Sequence, residues 1–200
     1  MRKPLPTLIT LFLLLIPIAA SAERSIEPLP YGDMDQWLVR YIKESKIMGG
    51  KTKTLYALAP TDTIKVNNPY YPIISNPWGS SATYAKVMGI ETGMEGSIVP
   101  EKRGNGYCCR LRNVLTAINL FDMYAMVSGT LYMGRALEPL SIAAKSKPYT
   151  AIDFGVPFTE HPVALMLDYK ANISDADSLI TTERNKPEVV AGHDCAVIHI

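Results

Sequence analysis

Between Val163 and Ile173, apolar and polar positions change places at almost every step. Val163, Leu165, Leu167, Tyr169, Ala171 and Ile173 fall on one side, and Ala164, Met166, Asp168, Lys170 and Asn172 on the other. A period of two is the signature of a half-buried β-strand, because successive side chains leave an extended backbone on opposite faces. Tyr107 to Val114 alternates likewise, with Arg110 and Arg112 opposite Cys109 and Leu111, so one face of that strand is predicted to be wet. Thr52 to Ala59, Ala82 to Ile90, Ser128 to Arg135, Tyr149 to Phe154 and Asp194 to Ile200 read as further strands, set apart by turns rich in Gly, Pro and Asn. Asp35 to Ser45 fits two periods. Met34, Trp37, Leu38, Tyr41 and Ile42 make a helical stripe, while Trp37, Val39 and Tyr41 make a strand face, which the neighbouring strands favour. Asn113 to Met126 holds either a helical turn or a strand entering a loop. Short strands with this punctuation predict an all-β protein, an antiparallel β-sandwich of jelly-roll type. The chain stops inside an apparent strand at Ile200, which leaves open whether a last strand follows.

The amino terminus breaks this pattern. Arg2 and Lys3, the apolar run from Leu5 to Ile18 and the small residues Ala20-Ser21-Ala22 are the three parts of a secretory signal peptide, cleaved near Ala22. The expectation is an exported protein, periplasmic, cell-surface or secreted, with one domain over residues 23–200. The apolar run is too short to cross a bilayer, so the chain is not expected to span a membrane. Charge adds one exclusion. The 200 residues carry 20 Lys and Arg against 19 Asp and Glu, a net +1. Removing Arg2 and Lys3 leaves −1, with the two signs interspersed. Nucleic-acid binding rests on clustered cations, so no nucleic-acid partner is expected.

Cys108 and Cys109 are adjacent and point to opposite faces of a strand, so they are poorly placed to bridge one another, and free thiols are favoured over a disulfide to Cys195. His161, His193 and His199 have no ligand spacing and there is no CxxC, so neither a metal nor another cofactor is predicted.

NPWGSSATYAKVMGIETGMEGSIVPEKRGNGYCCRL (residues 76–111), VSGTLYMGRALEP (127–139), DFGVPFTEHPVALMLDYKANIS (153–174) and DCAVIHI (194–200) resemble the exported Bacteroidetes proteins of the carbohydrate metabolism domain family. The resemblance runs from about Gly32 to Ile200, and GVPFTEHPVAL is its most specific part. It implies a β-jelly roll of the galactose-binding type and a role in glycan capture or use. It carries over no catalytic motif, and the lipid-attachment cysteine found in many members is missing here.

Sugar recognition needs aromatic faces and a few fixed polar groups. Eleven tyrosines stand against four phenylalanines, so most rings have a polar tip. Tyr70, Tyr71 and Trp78 lie in one proline-rich stretch and Tyr84 follows it. Trp78 either plugs one end of a sandwich or forms, with these tyrosines, a shelf for a carbohydrate ligand. Trp37 with Tyr41 reads as core packing. Arg110 and Arg112 can grip a hydroxyl or a carboxylate with their planar forks, unless their face is an ordinary solvated sheet. Glu95, in the loop Gly93-Met94-Glu95-Gly96-Ser97, completes the candidate ligand-binding set. A glycoside hydrolase or lyase is the alternative. It needs two carboxyl groups roughly 5–10 Å apart, and Glu91, Glu95, Glu101, Glu138, Asp153, Glu160 and Asp168 are on offer with no spacing that places two together. The third possibility is a surface or assembly protein with no sugar ligand.

Overall fold

A computed structural model describes residues 25–72, 76–118, 123–159, 161–182 and 186–199. The segment expected to be a signal peptide, Glu160 and Ile200 lie outside the described residues. Fifteen strands follow one another among those described: β1 Trp37–Lys43, β2 Thr52–Leu58, β3 Asp62–Ile64, β4 Trp78–Ser80, β5 Tyr84–Val87, β6 Ile90–Gly93, β7 Ile98–Arg103, β8 Gly106–Leu111, β9 Val114–Ile118, β10 Met123–Val127, β11 Leu131–Met133, β12 Arg135–Ala136, β13 Ile152–Asp153, β14 Ser178–Thr181 and β15 Glu188–Ala191. One α-helical turn, α1 Ala143–Ser146, and two 3₁₀ turns, Lys46–Met48 and Pro148–Ala151, interrupt them. The protein is therefore mostly β. The strands pair as one three-stranded sheet, β2-β1-β3, and six two-stranded ladders, small and unclosed. β1 runs antiparallel to β2 and parallel to β3.

The ambiguous segment at Asp35 is strand β1, and its period of two decides what is buried. Leu38, Arg40 and Ile42 are buried, whereas Tyr41 and Lys43, on the other face, are exposed. Ile42 joins Trp37, Leu55, Leu58, Ala82, Tyr84 and Ile98 in the main core, and Leu38, Ala57 and Ala59 make a smaller one. Each fully buried aliphatic side chain contributes roughly 1.5–3 kcal/mol. Both clusters draw on β1 and β2, so the three-stranded sheet is the floor on which the later hairpins pack.

Several expected strands come out differently. Ala82 to Ile90 is two strands, because Met88 and Gly89 both take positive φ, 51° and 83°, and turn β5 back onto β6. Two consecutive residues of this kind make the type I′ hairpin turn. Within Asn113 to Met126, the described residues are strands, β9 pairing antiparallel with β10. Tyr149 to Phe154 opens as a 3₁₀ turn over Pro148–Ala151, and only Ile152–Asp153 pairs. Two expected strands fail altogether: Val163 to Ile173, the firmest alternation, and Asp194 to His199 belong to no ladder. Alternation fits a segment for a sheet, but a strand exists only where a neighbour takes its N–H and C=O groups. No described strand lies beside either segment.

Candidate functional site

Arg40 projects from β1 into the interior and meets Glu138, which follows β12. Its Nη1 and Nη2 donate to Oε1 and Oε2 of Glu138 at 2.9 and 2.6 Å, and both side chains are 2 % exposed. The same carboxylate accepts the backbone N–H of Tyr70 at 2.9 Å and of Tyr84 at 2.8 Å. A buried carboxylate and a buried guanidinium tolerate removal from water only when paired and hydrogen-bonded in this way. The guanidinium lies over the Tyr70 ring, 5.1 Å from its centre, and also donates to the Asn68 carbonyl. Burial is the main influence raising the Tyr70 phenol above its ordinary value. Tyr71 donates its hydroxyl to the Glu138 carbonyl at 3.0 Å, and the Arg135 guanidinium lies 5.7 Å from its ring centre.

Four of the seven ligand-binding candidates thus gather round a residue counted in the sequence only as one acid among several. Tyr84 is 2 % exposed; burial first, then its hydrogen bond to Glu91, push its phenol up to about 12. Trp78, on β4, packs against the main core and donates its indole N–H to the Pro30 carbonyl at 2.7 Å. Tyr71 is half exposed. The cavity that Arg40, Tyr70, Trp78 and Glu138 help to line is about 20 Å³, room for a water molecule and not for a pyranose.

The remaining candidates stand apart from this knot. Glu95 grips Lys53 at 2.6 Å and accepts the Thr54 N–H. Arg110 pairs across the β7–β8 hairpin with Glu101 at 3.0 Å. Arg112 donates from Nε to the Gly96 carbonyl at 2.6 Å. Of the acids considered for hydrolysis, Glu95 is thus engaged by Lys53 and Glu101 by Arg110, one in the loop after β6 and the other on β7. Cys108, Cys109 and Cys195 are free thiols, as expected, and burial pushes the Cys109 thiol up to about 12. No group of metal-binding side chains occurs among the described residues.

A different surface is open and shallow. Tyr41, Lys43, Thr52, Thr63 and Lys65 line an open groove of about 610 Å³ on the outer face of the three-stranded sheet. Their convergence follows from register. Lys43 faces Thr52 across the β1–β2 ladder, and Val39 faces Thr63 across the parallel one, so odd-numbered residues of β1 share a face with Thr52, Thr63 and Lys65. One ring, two hydroxyls and two ammonium groups meet there. Asn67 fixes the rim: its side-chain carbonyl accepts the Lys43 N–H and its amide donates to the Lys43 carbonyl, each at 2.7 Å. The amide also donates to Glu91, whose carboxyl is held below its usual range first by that bond and then by Tyr84 and Lys86. Sequence reading set Tyr41 in the core with Trp37; Trp37 is 6 % exposed, but Tyr41 is 36 %. The pleat carried the signal, since Tyr41, Lys43 and the two threonines have one parity once β1 is central.

Comparison with family models, with curated proteins and with solved structures finds no match for this chain.

Proposed function

We propose that this protein binds a carbohydrate without transforming it, and that the site is the outer face of the β2-β1-β3 sheet. The observation that carries this is the groove itself, an exposed phenol ring between two threonine hydroxyls and two lysines. A ring face meets the C–H face of a pyranose, hydroxyls exchange hydrogen bonds with sugar hydroxyls, and ammonium groups supply donors and positive charge. Lys43 and Lys65 favour a sugar bearing carboxylate or sulfate groups. The resemblance to the carbohydrate metabolism domain family supports the same reading. With it come a galactose-binding-like jelly roll as the full architecture and export from the cytoplasm on the signal peptide at residues 1–22. Glycan capture outside the cell is then the role.

Titration calorimetry against a polyuronate and a sulfated galactan, each beside a neutral counterpart, tests the proposal. The acidic glycans bind, added salt weakens them, and Tyr41→Ala loses about tenfold in affinity, the scale of one aromatic contact. No heat with any glycan, or binding that Tyr41→Ala and Lys43→Ala leave unchanged, overturns it.

A further inference from the structure

The stretch from Val163 to Ile173 has the pattern of a strand and no described strand beside it. Every residue from 161 to 177 is exposed, including Val163 at 89 %, Met166 and Tyr169 at 73 %, Leu167 at 51 % and Leu165 at 50 %. Contiguous apolar surface of this kind marks a place of association. We propose that Val163 to Ile173 is an assembly strand, pairing antiparallel with the same segment of a second copy of this chain about a two-fold axis at Tyr169.

The choice of occupant and register comes from the side chains. A two-fold contact must be self-complementary, because one segment meets itself reversed. Apolar faces coincide only if residues of like parity stand opposite one another; a slip of one residue would set Leu165, Leu167 and Tyr169 against the polar side. That leaves axes at Asp168, Tyr169 or Lys170 near the centre. An axis at Asp168 opposes two carboxylates, and one at Lys170 opposes two ammonium groups. An axis at Tyr169 sets Asp168 of each copy against Lys170 of the other, twice, while Leu167 meets Ala171 and Leu165 meets Ile173. Opposite charges directly across a ladder stabilise it and like charges weaken it. One register therefore satisfies charge and hydrophobicity together, and the two copies then share an apolar face of Leu165, Leu167, Tyr169, Ala171 and Ile173.

Sedimentation velocity of the full chain from about 1 to 100 µM reads the outcome, a range that brackets ordinary self-association. The wild type passes from monomer to dimer. Asp168→Lys opposes lysine to lysine and Lys170→Asp opposes aspartate to aspartate, so each alone dimerises at least tenfold more weakly. Mixed in equal amounts they recover the dimer, because every charge then faces its opposite; a variant that had merely lost its fold would not. A wild type that stays monomeric throughout, single variants that associate as the wild type does, or a mixture without recovery overturns the proposal.

Discussion

Arg40 and Glu138 are 98 positions apart and yet form the most completely buried ion pair among the described residues. The pair ties β1 to the chain after β12, and through the N–H groups of Tyr70 and Tyr84 it also holds the loop before β4 and the start of β5. Glu138→Gln leaves a guanidinium in the interior facing a neutral amide. The expected loss is about 3–5 kcal/mol, the usual result of removing one partner of a buried pair, read as the shift in a urea denaturation midpoint. The double replacement Arg40→Met with Glu138→Leu recovers only part of it, since no unpaired charge is left but the N–H groups of Tyr70 and Tyr84 lose their acceptor. A single variant as stable as the wild type would show that water reaches the pair. None of this was visible in the sequence, where Arg40 is a cation in the middle of the apolar run from Trp37 to Ile42 with no acid in that run to pair with it. A salt bridge between distant residues has no local pattern.

At the scale of elements, the β5–β6 hairpin shows what punctuation can and cannot say. Gly89 marks a turn, but Met88 before it conceals one, because a methionine at φ 51° is strained. Its side chain is 86 % exposed and makes no core contact that replacement would remove. Met88→Asn supplies the residue that tolerates this conformation ahead of glycine. A gain of about 0.5–1 kcal/mol is expected, on the scale of other turn substitutions that relieve backbone strain, as a higher melting temperature with an unchanged far-ultraviolet spectrum. A lower melting temperature would mean that Met88 has a partner in solution. Strands β2 and β8 were legible in the sequence, whereas β1 fitted two periods until its pairing with β2 and β3 decided it. Val163 to Ile173 alternates better than any of these and pairs with nothing described, so period alone overstated it.

Among the described residues, burial makes four groups resist losing protons, Tyr70, Tyr84, Cys109 and Tyr132, the last three up to about 12. Burial, with a smaller contribution from Cys108, holds the Cys109 thiol near 12 against an ordinary 9.0. Burial holds the phenols of Tyr84 and Tyr132 near 12 against 10.0. All four values are raised, so the folded chain keeps protons that the unfolded chain releases. Stability from these groups is whole below pH 9 and falls as pH climbs toward 12, beginning with the thiol. Denaturation midpoints are expected to stay level from about pH 7 to 9 and to decline beyond it. Cys109→Ala should defer the onset to about pH 10. An unchanged onset in that variant would exclude the thiol as its cause.

Composition and period determined that this chain is made of strands, that Trp37 and Cys109 lie inward and that Arg110 lies outward, because these depend only on side-chain polarity and the two-residue pleat. Which strand lies beside which was decided by tertiary structure alone. Pairing joins residues far apart in the chain, and it is pairing that set Tyr41, Thr52, Thr63 and two lysines on one open face while drawing Tyr70, Trp78 and Tyr84 round a buried carboxylate. Backbone hydrogen bonds are the same at every residue, so the order of strands is chosen by the fit of whole faces, and no short stretch of sequence contains that information.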